Sequence, residues 1–365
     1  MAIFASGGLA ATVVAATAAV CLTSGCGTVR YYAQAAAGHL EIVNAARPVA
    51  EWLADPATPP AVKQRLELSQ RIRDFAVHEL GQPDNASYRR YADLNRAAAV
   101  WNVVAAPELS LTLKTWCFVV VGCVGYRGYY SEAAARAEAE SLRDAGLESL
   151  VYPVPAYSTL GRLPGAWLAD PLLNTFLHYP EPDLARLVFH ELAHQVVYVP
   201  GDTSFNESFA TAVEQIGSAR WLAAHGSDAM RKEQASTQAR RADFRALTRR
   251  YRGELQALYA SGLSDAEKRE RKASLFAAMR AEHEAMKAER WGGYVGYDRW
   301  FARANNAALG VLAAYNDLVP QFEALFRREG SDFARFYAEA RRLAALPPGP
   351  RRAHLAAAAA SSPTP

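Results

Sequence analysis

FHELAHQVVYVPGDTSFNESFATAVE, residues 189–214, decides how this chain is read. Its first part, His190-Glu191-Leu192-Ala193-His194, is an HExxH motif. Pro182 and Asp183 suit a first helical turn, and Pro200-Gly201 suits a stop. Leu184, Val188, Leu192 and Val196 recur at every fourth residue, which predicts a buried stripe. His190 and His194 share another face one turn apart, so two imidazoles can reach one Zn²⁺. Glu191 is offset by ~100° from His190. That offset sets its carboxylate beside the metal's open position, where it can act as general base toward a water the metal has acidified.

A catalytic zinc takes a third protein ligand, and Glu207 and Glu214 are the candidates. Both lie on a helix expected to start near Ser204, whose core face is Phe205, Phe209, Val213 and Ile216. If the two helices fold back at Pro200-Gly201, His194 and Glu207 come level. Glu214 then falls ~10 Å further along, at 1.5 Å per residue. Glu207 is therefore the expected ligand, and Glu214 the alternative. The competing reading of Glu207 is a capping box, Ser204-x-x-Glu207, in which the carboxylate only satisfies a backbone N–H. Asn206 is the expected orienting partner beside the site.

Outward from this stretch, residues 31–80 read as helical, broken at Asp55-Pro56-Ala57-Thr58-Pro59-Pro60. Thr115–Tyr130 (TWCFVVVGCVGYRGYY) is β-branched, aromatic and glycine-punctuated, so strands are expected there. A helix follows over 131–145, capped by Ser131, then a short strand at 150–154. After Pro182 nearly everything reads as helix. Residues 228–290 form a charged, alanine-rich hairpin turned at Ser261-Gly262-Leu263, with Ser264 and Glu267 spaced as a capping box. The tail from 346 to 365 is low-complexity and expected to be disordered.

The 365 residues carry 40 Lys+Arg against 37 Asp+Glu, with no dense cationic block. That excludes a dedicated nucleic-acid binder, which needs clustered cations. Residues 1–25 are apolar and uncharged and lead into Cys26, which reads as a signal peptide followed by a lipidated cysteine. Outside the cytoplasm Cys117 and Cys123 are expected to form a disulfide, since no further cysteine is near enough to complete a sulfur site for metal.

At HExxH followed by Asn206-Glu207-Ser208-Phe209-Ala210 the chain resembles the gluzincins, where HExxH precedes NExxA. More closely, it resembles the bacterial putative aminopeptidase family of predicted lipoproteins. The matching stretches are Tyr31-Tyr32-Ala33-Gln34, 73–94, 101–111, 115–132, 155–161, 170–173, 189–214 and 297–310. The resemblance implies His190, His194 and Glu207 as ligands of one Zn²⁺ per chain and Glu191 as general base. It also implies a substrate-binding strand edge in the 115–130 region. Two features depart from the pattern: the short His194-to-Glu207 spacing and an insertion at 161–166.

The expectation is thus an α+β, mostly helical chain. It would have a single zincin-like metallopeptidase domain over 26–345, a small β-region at about 115–155, and a long helical C-terminal half. The expected activity is zinc-dependent peptide hydrolysis, with aminopeptidase action implied by the family name. The expected location is the periplasmic face of the envelope, on the outer rather than the inner membrane, anchored at Cys26. Tyr157, Tyr198, His283 and Tyr297 are candidate oxyanion donors, and Glu108, Glu214 and Asp298 candidate ligands for a substrate amine. The alternative from another class is a non-catalytic, zincin-like envelope lipoprotein with a structural or partner-binding role.

Overall fold

The computed structural model of the chain describes residues 29–118, 122–156 and 165–360, excepting the side chains of 314–316 and 359–360. Residues 29–45 are helical (α1) and lead through β1 (Arg47–Pro48) to α2 (Val49–Ala54) and α3 (Pro60–His78). The 55–60 break falls between α2 and α3. Pro60 occupies the first turn of α3, where its missing N–H costs nothing.

The central sheet has the order β6-β3-β7, with β6 at Arg127–Tyr129, β3 at Val100–Pro107 and β7 at Leu147–Val154. All of its pairings are antiparallel. The β-region therefore starts earlier than the expected 115–155, because its middle strand is β3. Val103 and Ala105 pack under α4 (Glu132–Asp144), and Val104 and Ala106 under Ala307 on the opposite face. A strand covered on both faces has no polar alternation to announce it. Ser131 caps α4 through Ala134 N–H, as expected. A second small sheet joins β1, β2 (Arg90–Ala92) and β8 (Leu172–Leu173). The two-stranded ribbon of β4 (Trp116–Phe118) and β5 (Gly122–Val124) is closed by the Cys117–Cys123 disulfide.

Beyond α5 (Asn174–Leu177) all elements are helical: α6 (Glu181–Val196), α7 (Thr203–His225), α8 (Asp228–Ala260), α9 (Asp265–Glu289), α10 (Asp298–Arg303), α11 (Asn306–Asn316), α12 (Val319–Arg328), α13 (Phe333–Ala344) and α14 (Pro348–Ala360). The α8–α9 hairpin turns where the sequence indicated, and Ser264 and Glu267 form the reciprocal capping box. The main core joins α3, α6, α7, α12, α13 and α14 through residues such as Leu66, Phe189, Phe209, Phe322, Phe336 and Leu355. The expectation of a disordered tail fails over Pro348–Ala360. There Leu355 and Ala358 are buried, and Arg351 donates to the carbonyls of Leu343, Ala344 and Leu346. Low complexity misled because an alanine-rich run is also the strongest helix former available. Residues 1–28, which include the expected signal segment and Cys26, and residues 361–365 lie outside the described residues.

Candidate metal centre

Helix α6 buries Leu184, Ala185, Val188, Phe189, Leu192 and Ala193, which leaves Asp183, Arg186, His190 and Glu191 on another face. It ends at Val196, and the chain reverses through 197–202 into α7. Gly201 sits at φ +80°, a conformation glycine adopts without penalty. The Asn206 amide pins the reversal: Oδ1 accepts from Val199 N–H at 2.7 Å and Nδ2 donates to Val199 C=O at 2.8 Å. Asn206 thus shapes the turn by its own two bonds and orients no imidazole. Helix α7 is capped by Asp202, which accepts from Phe205 N–H at 3.1 Å. The Ser204-x-x-Glu207 capping box is not formed, and the Glu207 side chain is left for other work.

That side chain meets both histidines. Glu207 Oε2 lies 3.3 Å from His190 Nε2 and 3.7 Å from His194 Nε2, and the two Nε2 atoms are 3.2 Å apart. A tetrahedral ion with bonds of 2.0–2.2 Å sets its ligand atoms roughly 3.3–3.6 Å apart. The three observed edges bracket that range, so the donor set fits a zinc ion in size and chemistry.

Glu214 takes a different place. Its Oε2 is 3.1 Å from His190 Nδ1, on the far side of the ring, and its Oε1 accepts from Arg186. A carboxylate behind an imidazole fixes the tautomer that leaves Nε2 for a metal. Burial alone would lower the His190 pKa, but contacts with Glu207 and Glu214 hold it well above its usual value. Burial instead pushes His194 down to about 4, so it is neutral. Against burial, His194 and His190 keep Glu207 below the usual carboxylate range. Burial raises Glu191 to about 7, and the carboxylates of Glu207, Asp170 and Glu214 push the same way against His190.

His190 and Glu191 border two openings. One is a cavity of about 560 Å³ toward the sheet, walled by aromatic residues including Tyr31, Phe118, Tyr126, Tyr152 and Tyr198. The other is a groove of about 600 Å³ between α6, α7 and α8, lined among others by Asp183, Arg186, Glu214, Arg241 and Arg245. Of the 115–130 region expected to offer a substrate edge, the β6 end is covered: Gln34 of α1 donates to Gly128 C=O at 3.2 Å and accepts from Tyr130 N–H at 3.2 Å.

Of the candidate oxyanion donors, Tyr198 lines the cavity and Tyr157 lies outside the described residues. His283 and Tyr297 belong to the aromatic cluster of α8, α9 and α10, where His283 stacks on Phe301 and Tyr297 on Phe244. Among the amine candidates, Glu108 pairs with Arg269 and Asp298 with Lys287, and neither lines the cavity or the groove. Most of the 161–166 insertion is outside the described residues. Tyr126, Arg186, Arg241 and Arg245 are site residues that sequence reading missed. For Tyr126 the signal was its place in GYRGYY. For the arginines it was their spacing, 241 and 245 being one helical turn apart within a run that otherwise reads as solvated charge.

No curated protein and no solved structure matches this chain. A family model described as "Putative aminopeptidase" matches residues 30–355, a span that includes the whole of α6 and α7 and runs into α14. The chain belongs to that putative aminopeptidase family.

Proposed function

We propose that this chain is a zinc-dependent metallopeptidase that holds one zinc ion through His190, His194 and Glu207. The observation that carries the reading is the triangle of Nε2, Nε2 and Oε2 atoms with edges of 3.2, 3.3 and 3.7 Å. Zinc, when bound, acidifies water and polarises a peptide carbonyl. Glu191 accepts the proton of the attacking water and returns it to the leaving amine, a task suited to a carboxyl whose pKa burial has raised to about 7. Glu214 and Arg186 keep His190 oriented from behind. Tyr126 and Tyr198 both lie on the cavity wall beside the histidines, where a phenol O–H can donate to a developing oxyanion. Burial, with Glu207 and Tyr198 nearby, raises the Tyr126 pKa well above its usual value and keeps that hydroxyl a donor.

The same proposal includes export and lipid anchoring at Cys26, with the domain on the periplasmic face of an outer membrane. The apolar residues 1–25 and the Cys117–Cys123 disulfide support it, since disulfides persist in oxidising compartments. Among the described residues no helix is long and apolar enough to cross a membrane.

The test uses soluble protein from residue 27 onward, metal analysis after zinc repletion, and N-terminal sequencing of products from a mixed peptide library. About one zinc per chain and new peptide N-termini are expected. Glu191→Gln should retain the zinc and lose cleavage. Zinc without cleavage by the wild type would favour the non-catalytic lipoprotein, and absence of zinc after repletion would remove the metal reading itself.

A further inference from the structure

The groove on the α8 side of His190 and Glu191 differs in chemistry from the aromatic cavity. Three guanidinium groups face it, and two are already engaged. Arg241 donates to Asp183 at 2.8 Å, and Arg186 bonds Glu214 and lies 3.8 Å from Asp183. Arg241, Asp183, Arg186, Glu214 and His190 therefore form one continuous chain of charge contacts ending at a proposed zinc ligand. Even so, Arg186 Nε and Arg241 Nη1 are buried without an acceptor.

Arg245 lies one turn beyond Arg241 on α8. Among the described residues no ion pair or hydrogen bond engages its guanidinium, although it lines the groove and is only part-exposed. Burial lowers its pKa and the cations of Arg186 and Arg249 lower it further, while Tyr297 and the Glu323 carboxylate pull the other way without reversing the shift. A part-buried cation beside another cation is costly unless an anion joins it, and a guanidinium fork matches a carboxylate in two parallel bonds. A solvated helix face would leave this arginine turned to water, as the exposed Arg249 is.

We propose that Arg245, supported by Arg241 and Arg186, is a substrate-carboxylate subsite, so that the chain acts on peptides carrying a carboxylate on one side of the scissile bond. The proposal rests on the metallopeptidase reading for the position of that bond. The carboxylate is either the peptide's C-terminus or an Asp or Glu side chain.

Binding measured by calorimetry in the zinc-loaded Glu191→Gln background keeps turnover out of the experiment. One pair of pentapeptides differs only in a free versus an amidated C-terminus. A second set is amidated throughout and differs in Glu versus Gln at each position. One carboxylate arm should bind about tenfold to a hundredfold tighter than its neutral match, the range for a charge-assisted pair. The arm that does so identifies the source. Adding Arg245→Gln should bring that ratio to near one, Arg245→Lys should restore part of it, and Arg249→Gln should leave it standing. Thermal melting checks that each variant is folded. Equal binding of acid and neutral peptides, or a preference that survives Arg245→Gln, overturns the proposal. Wild-type library cleavage, run alongside, reports separately on the metallopeptidase reading, because the binding ratio does not depend on turnover.

Discussion

His190 stands between two carboxylates, with Glu207 at Nε2 and Glu214 at Nδ1, and in the metal-free protein those contacts keep it protonated at neutral pH. On the proposed zinc reading the ion would have to displace that proton, whereas His194 is already neutral and Glu207 already ionised. Binding at pH 7 should therefore release about one proton from His190, plus the fraction that Glu191 still holds. Calorimetry in buffers of different ionisation enthalpy reads that number directly, and zero release would contradict the arrangement. The two carboxylates should also separate by mutation. Glu207→Ala removes a proposed ligand and should abolish stoichiometric zinc, while Glu214→Ala should weaken zinc by about 10–100-fold. The reverse order of effects would exchange their roles. Glu191 makes a stability prediction. Its folded pKa, about 7, lies above the ordinary 4.5, so the fold favours the protonated acid. Metal-free stability should then fall as pH rises from about 4.5 through 7, by up to about 3 kcal/mol. Glu191→Gln should raise the melting temperature of metal-free protein at pH 8 but not at pH 4. Equal shifts at both pH values would show that the carboxyl is not held as burial requires.

At the scale of elements, α6, the 197–202 reversal and α7 act as one unit, because the reversal sets which residue of α7 comes level with His194. Asn206 clamps Val199 from both sides, and the β4–β5 ribbon rests on the turn so closely that a Cβ at Gly122 would come within 2.7 Å of Gly201 N. Asn206→Ala should cost about 1–3 kcal/mol, since it strands two backbone groups. If the clamp positions the ligands, zinc affinity should fall with it. A lower melting temperature with unchanged zinc affinity, measured by chelator competition, would confine the clamp to folding. This unit was also the most legible part of the sequence. The apolar stripe of α6 and a fold-back centred near Pro200-Gly201 were enough to bring Glu207 level with the histidines, although α6 itself stops earlier, at Val196. The cap was read two residues late, at Ser204 instead of Asp202, because SxxE is a stronger pattern than a lone aspartate. Glu214 was expected either as an alternative ligand or as a supporting group, and the choice between them was not legible, since it depends on Arg186 reaching across from the neighbouring helix. The strand β3 was hidden for a different reason: with Val103, Val104, Ala105 and Ala106 all buried, its period-two signal is absent.

Across the whole molecule, two segments that composition set apart from the site turn out to be attached to it. The charged α8–α9 hairpin read as a solvated face, yet Arg241 and Arg245 of α8 form one wall of the groove beside Glu191. Only tertiary contact distinguishes such arginines from their exposed neighbours on the same helix. The C-terminal segment read as disorder, yet α14 returns to the 197–202 turn between α6 and α7. There Arg351, 4% exposed, pairs with Asp202, the cap of α7, and its guanidinium lies over Phe205 at 5.2 Å from the ring centroid. Removing residues 347–365 would therefore do more than shorten a tail. It withdraws Leu355 from the main core and leaves the Asp202 carboxylate without its cation. Each of those losses is worth a few kcal/mol, so a destabilisation of about 3–5 kcal/mol is expected from the truncation. The gentler Arg351→Met, which keeps the apolar stem, should show the loss of the guanidinium's bonds to Asp202 and to the carbonyls of Leu343, Ala344 and Leu346 without the loss of Leu355 from the core. Because Asp202 begins the helix that carries Glu207, both variants should also lose zinc affinity relative to the full chain. Denaturant midpoints and chelator competition measure the two effects separately. A truncated protein with unchanged midpoint and unchanged zinc affinity would mean that α14 contributes nothing to the site, as its composition alone suggested.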